Sequence, residues 1–154
     1  MKKFKLSTRS RRNLEGVHPD MVAVVLRAIE LTFVDFVVTE GLRTRARQEE
    51  LFKAGASQTM NSRHLTGHAV DLAAWVGTVR WDWPLYSAIA EAMRAAAREA
   101  GVKVIWGGCW DRELTAIEET CAEASEDYVA RRRAQGRRAF LDGPHFELDR
   151  TLYA

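Results

Sequence analysis

Apolar and polar residues alternate along this chain in short blocks, some with a helical period and some with the period of a strand. In HPDMVAVVLRAIE, Pro19 occupies a first helical turn, and Val22, Val25, Leu26 and Ile29 recur at i, i+3, i+4 and i+7. That spacing predicts an amphipathic helix. FVDFVV, residues 33 to 38, is β-rich and too short for a helix, so it reads as a strand. RARQEELFKAG (45 to 55) is a helix of strong formers stopped by Gly55, and PLYSAIAEAMRAAAREAG (84 to 101) repeats that logic between Pro84 and Gly101. VKVIW (102 to 106) and HFEL (145 to 148) read as strands. HAVDLAAW alternates as a strand does, with Ala69, Asp71 and Ala73 on one face and His68, Val70 and Leu72 on the other.

One segment differs in character. From Glu113 to about Ala134 the chain reads as a single long helix, with Leu114, Ile117, Cys121, Ala124 and Tyr128 forming a narrow stripe on a charged rod. Its first half is acidic (Glu118, Glu119, Glu123, Glu126, Asp127) and its end basic (Arg131, Arg132, Arg133, Arg137, Arg138). That order complements the helix dipole; it also leaves arginines able to meet an anionic partner such as a wall polymer or lipid head group.

Composition narrows the class. The 154 residues are 47% hydrophobic and 29% charged, as in an ordinary globular domain, and neither repeats nor linkers divide them. A single domain over residues 1–154, without a separate wall-binding domain, is expected. Lys and Arg number 23 against 21 Asp and Glu, too even a balance for a nucleic-acid protein. No apolar run approaches the roughly 20 residues of a membrane span. MKKFKLSTRSRRNLEG is basic but lacks the apolar core of a signal peptide, so synthesis in the cytoplasm is expected. Cys109 and Cys121 have no CxxC spacing and read as free, structural thiols.

The candidate chemistry lies in SRHLTGHAVD, residues 62 to 71. His64 and His68 are four apart, as in the HExxH zinc helix, but Leu65 stands where the glutamate is needed and Gly67 would interrupt the helix. Gly67 instead serves as a turn that can bring His64 and Asp71 to one point. A catalytic zinc takes about three protein ligands and keeps a position open for water. His18, ahead of Pro19, reads as a helix cap; His145, in LDGPHFEL, supplies the third ligand. Asp142 is a nearby carboxylate that could take a proton from water, although Asp-Gly-Pro also favours a turn on its own. Glu147, on the same strand face as His145, is the alternative base.

SRHLTGHAVD fits the S-x-H-x-x-G-x-A-x-D signature of the zinc D-Ala-D-Ala carboxypeptidases and their relatives, the vancomycin-resistance (VanY-like) peptidases and phage L-alanyl-D-glutamate endopeptidases. DGPHFEL resembles the family's second motif and VTEGLRTRARQEELF the segment carrying its arginine; the likeness runs from about Val17 to Leu148 and is strongest to the phage endolysin branch. The resemblance implies an α+β fold: a small antiparallel sheet flanked by helices, with a zinc site in a central cleft, the D-Ala-D-Ala peptidase or hedgehog-like fold. To this is added an inserted charged helix at about 111–138, since the WGG-W and D-x-P-H segments, neighbours in short endolysins, lie far apart here.

Residue by residue, the resemblance makes His64, Asp71 and His145 the ligands of one Zn2+, Asp142 the general base and Arg43 the group that holds the scissile carbonyl. Ser62 becomes a supporting hydrogen-bond donor, and His68 a structural or supporting residue. Trp106 and Trp110 could line the cleft or simply fill the core. The implied substrate is a peptidoglycan stem peptide cut at its L-alanyl-D-glutamate bond by a monomeric enzyme that a holin admits to the wall. A D-Ala-D-Ala carboxypeptidase on the same scaffold, or a zinc-bearing wall-binding module, are the alternatives.

Overall fold

Strand periodicity organises the molecule around one sheet. The structure, a computed structural model, describes residues 3–154. Its elements follow as α1 (Thr8–Asn13), α2 (Pro19–Leu31), β1 (Phe36–Glu40), α3 (Arg45–Lys53), β2 (Ala69–Trp75), β3 (Val79–Arg80), α4 (Trp83–Ala100), β4 (Val104–Trp106), α5 (Cys121–Ala134) and β5 (His145–Leu148). The strands run antiparallel in the order β1-β2-β5-β4, with β3 folded back on β2. The fold is therefore the mixed helix and antiparallel-sheet arrangement expected.

Phe36, Val38, Val70, Leu72, Ala74, Val104, Trp106, Phe146 and Leu148 share the core with α2 and α4. Burying each large apolar side chain is worth about 1.5–3 kcal/mol. The intervening residues, among them Asp71, His145 and Glu147, belong to the opposite face, which leaves it free to carry chemistry. At the free edge of β1, Ser10 of α1 accepts the Val38 amide at 3.0 Å and Asn13 donates to the Val38 carbonyl at 2.8 Å. Those two bonds occupy backbone groups that an edge strand otherwise exposes.

Two expectations need correction. On α2 the buried face is Met21, Val24, Val25, Ala28 and Ile29, while Leu26 is 38% exposed, so the stripe is rotated from the one the sequence suggests. The helix expected from Glu113 begins only at Cys121, capped by Thr120, which accepts the Glu123 amide. Leu114–Ala116 form a single 3-10 turn, and Ile117 is extended. Tertiary contacts override the local period: Arg94 and Arg98 of α4 donate to the carbonyls of Thr115, Ile117 and Glu119, and Glu91 accepts the Cys121 amide. A helix through these residues would need the same carbonyls for itself. Leu114, Ile117, Cys121, Ala124 and Tyr128 are nonetheless all buried, so this segment is part of the core rather than an arm laid over it.

The cysteines are free and buried, as expected, and burial pushes their thiols up to about 11 (Cys109) and about 12 (Cys121). Because Ile117 is fully buried and outside any helix, Ile117→Ala should lower unfolding stability by about 2–5 kcal/mol. Urea titration checks this, with the exposed Leu152→Ala as reference; equal midpoints would mean that the segment packs loosely.

Candidate metal centre

Register brings the site together. Asp71 of β2 stands directly opposite His145 of β5. An irregularity between Val38 and Glu40 shifts β1 so that Glu40 stands opposite Asp71. Glu40, Asp71 and His145 thus form a row across three strands. His64 enters from a 3-10 turn, Arg63–Thr66, capped at its start by Ser62, whose Oγ accepts the His64 amide at 3.2 Å. The turn ends on Gly67 at φ 75°, where a Cβ would lie 2.4 Å from the Gly16 carbonyl oxygen, so only glycine fits. Arg43 N–H donates to the His64 carbonyl at 2.9 Å and ties this turn to β1's end.

The outer nitrogen of each imidazole is held by an acceptor. His64 Nδ1 lies 2.8 Å from the Gly41 carbonyl oxygen, and His145 Nε2 lies 2.9 Å from Glu147 Oε1. A carbonyl and a carboxylate only accept, so those nitrogens carry hydrogen and His64 Nε2 and His145 Nδ1 point inward. Both meet Asp71 Oδ1, at 3.2 and 3.3 Å, and the ligand atoms of His64, Asp71 and His145 lie within 4.8 Å of one another.

The electrostatics ask for positive charge here. Burial alone would raise the Asp71 carboxyl, but hydrogen bonds from His145 and His64 hold it well below the usual range. Burial would likewise lower His145, yet its bonds to Asp71 and Glu147 push it up to about 9. A cation between the three groups answers the same demand without protonating an imidazole. Two imidazoles with fixed tautomers and one carboxylate fit a divalent metal.

Arg43 is buried beside this point. Its Nε and Nη2 bind both oxygens of Glu40 at 2.7 Å, Nη1 donates to Gln48 at 2.7 Å, and Nη2 lies 3.5 Å from Asp71 Oδ2. Gln48 is itself held by Ser57 and the Thr59 carbonyl. Among the described residues one Nη1 hydrogen is left uncommitted in a guanidinium whose geometry is fixed on three sides.

The third wall comes from beyond α5. Gly107 and Asp142 join through the Asp142 N–H to Gly107 carbonyl bond at 2.9 Å, and a Cβ on Gly107 would lie 2.1 Å from the Asp142 carbonyl oxygen. The WGG and DGPH segments, distant in sequence, meet at this glycine. Burial, then the charge of Asp71, raises the Asp142 carboxyl above its ordinary value, against the opposing pull of His145, His64 and Arg43.

These groups line a cleft of about 330 Å3 that also includes Leu51, Trp110 and Phe140. The structure separates the remaining expectations. Ser62 lines the cleft, but its hydroxyl accepts the His64 amide, so it shapes the ligand turn. His68 lies away from the cleft, bonded to Thr66 and beside the ring of His18, which caps α2 by accepting the Asp20 amide. Trp106 is fully buried and donates to the Gly143 carbonyl, holding the turn before His145 from the core side. Trp110 is the tryptophan that faces the metal site, with its ring 5.2 Å from that of His145. Glu147, the alternative base, is occupied by His145 and Arg150. Glu40 and Gln48 escaped the sequence reading. Glu40 was visible three residues before Arg43, whereas nothing in the pattern of α3 marks Gln48 as buried.

Comparison with known proteins gives a consistent result. Residues 2–149 match the family model described as phage L-alanyl-D-glutamate peptidase. The L-alanyl-D-glutamate peptidase of Escherichia phage T5 is 31% identical over 150 residues, 94% of this chain and 98% of that protein. The L-alanyl-D-glutamate peptidase of Listeria phage A118 is 36% identical over 78 residues, 50% of this chain and 27% of that protein. Among solved structures, the Serratia marcescens L-Ala D-Glu endopeptidase ChiX superposes with a TM-score of 0.74 at 42% identity, covering 97% of this chain and 93% of that one.

His64→Ala and Asp71→Ala should each abolish stoichiometric binding of a divalent metal in equilibrium dialysis. Glu147→Gln keeps all three ligands but loosens the His145 tautomer, and should weaken metal binding about 10–100-fold. Unchanged affinity in Glu147→Gln would remove Glu147 from the support of the site.

Proposed function

The chain belongs to the phage L-alanyl-D-glutamate peptidase family, and from that premise we propose that it is a zinc endopeptidase cutting the L-alanyl-D-glutamate bond of peptidoglycan stem peptides. The observation that carries this reading is the convergence of His64, Asp71 and His145 in one cleft with Asp142 and Arg43. Two nitrogens and a carboxylate oxygen suit zinc and leave a coordination position open. Bound there, zinc would supply Lewis acidity, polarising the scissile carbonyl and making water a better acid.

The chain's own groups do the rest. Asp142, with its carboxyl raised above its ordinary value by burial, takes a proton from the attacking water and returns it to the amine as the carbon–nitrogen bond breaks. Arg43 offers its free Nη1–H and its charge to the oxygen of the tetrahedral intermediate, and Glu40 and Gln48 keep it from swinging away. Trp110 and Phe140, joined by the Trp110 Nε1–H to Phe140 carbonyl bond at 2.9 Å, line the same cleft as Asp142 and give it an apolar wall. No helix among the described residues is long and apolar enough to cross a membrane. In this reading one catalytic domain does the work, and a holin opens its way to the wall.

Digestion of Gram-negative peptidoglycan by the zinc-loaded protein, read by mass spectrometry, tests the reading. Stem peptides beginning with D-glutamate, with L-alanine left on the glycan, are expected. Released D-alanine would assign a carboxypeptidase instead, and no cleavage by a folded, metal-bound protein would leave a binding module. Asp142→Asn should retain the metal and lower kcat by about 10²–10⁴-fold. Full activity in that variant would move the base elsewhere.

A further inference from the structure

One wall of the cleft carries positive charge that the chemistry above does not use. Arg63 and Arg150 both line it, and the carboxylate nearest to both is Glu147. Glu147 is already engaged with His145, so it cannot neutralise two guanidinium groups. Arg63 is anchored by donating from Nη2 to the Tyr153 carbonyl at 2.6 Å, and its Nε is buried without a hydrogen-bond partner among the described residues. Arg150 is 55% exposed; its Nε donates to Glu147 Oε2 at 3.1 Å, and Nη2 reaches only a 3.5 Å contact with the Asn61 carbonyl. Its Nη1 makes no bond among the described residues. Arg43 differs, because Glu40 and Gln48 hold it in place and its one spare N–H is already given to the oxygen of the tetrahedral intermediate.

The substrate supplies the missing anion. A D-glutamyl residue within a peptide keeps one free carboxylate, whichever of its two carboxyl groups continues the chain. That carboxylate is only a few bonds from the scissile nitrogen. An arginine that lines the cleft and is held by one edge, with N–H groups to spare, matches a carboxylate in geometry and charge. Resting on the peptidase reading above, we propose that Arg150, backed by the charge of Arg63, is the subsite for this carboxylate and makes the enzyme selective for stem peptides whose glutamate is not amidated.

Two synthetic stem peptides test this, identical except for a free carboxylate or a carboxamide on the glutamyl residue, with the zinc-loaded full chain. The wild type should prefer the carboxylate by about tenfold to a hundredfold in kcat/KM, the range of a lost hydrogen bond to a charged group. The preference should appear mainly in KM. Arg150→Gln should collapse the ratio toward one, and Arg150→Lys should retain part of it. If Arg150 acted only through Glu147 on the metal, the variant would slow both peptides alike and keep the ratio, which would overturn the subsite. Equal cleavage of both peptides by the wild type would also overturn it while leaving the peptidase reading intact. Cleavage of neither at this bond would remove both. Should Arg150→Gln fail to fold, the wild-type ratio and Arg150→Lys still decide.

Discussion

The site depends on holding a carboxylate between two imidazoles. Asp71 Oδ1 faces a ring nitrogen of His64 and one of His145, and both rings are fixed from behind by acceptors. Without positive charge at the centre, three sets of lone pairs would oppose one another in a half-buried place. Buried charge is tolerated only when it is matched, so this point requires a proton or a cation. Everything around it serves to keep the three groups from drifting apart.

That service is spread over the chain. Gly41 gives a carbonyl to His64, Glu40 holds Arg43 against Asp71, and Ser62 and Gly67 shape the turn that delivers His64. On the far side, Trp106 fixes the Gly143 carbonyl from within the core, and Gly107 lets the Asp142 backbone approach. The site is therefore the underside of the hydrophobic core. Alternation along β2 and β5 sends Val70, Leu72, Phe146 and Leu148 to one face and Asp71, His145 and Glu147 to the other. Packing on one face sets distances on the other. The charged segment after Trp110 belongs to the same scheme, since its apolar residues join the core and the chain returns from it to present Phe140 and Asp142 at the cleft.

Much of this was legible in the sequence, for reasons that are local. The order HxxGxAxD is short enough that a turn and one strand bring His64 and Asp71 together whatever the rest does, and strand periodicity puts His145 and Glu147 on one face. Pro marks the start of α2 and α4, where its ring fixes φ, and Gly follows the end of α3 and α4, where φ is positive. The grouping of His64, Asp71 and His145, the places of α2, α3 and α4 and the class of fold follow from such rules, together with a motif resemblance.

What the sequence could not decide depended on partners distant in the chain. A stripe at helical spacing looked like one helix from Glu113, but arginines of α4 claimed its carbonyls and delayed the helix to Cys121. Trp106 and Trp110 are equivalent as letters; only tertiary packing puts one in the core, bonded to the Gly143 carbonyl, and the other beside the ring of His145. Glu147 looked like a spare base until its neighbours showed both oxygens in use, one by His145 and one by Arg150. The sequence by itself determined which groups could bind a metal, because short-range spacing and alternation are properties of the backbone. Tertiary structure alone decided what each remaining polar group faces, because a hydrogen bond can be claimed by any partner that packing brings near.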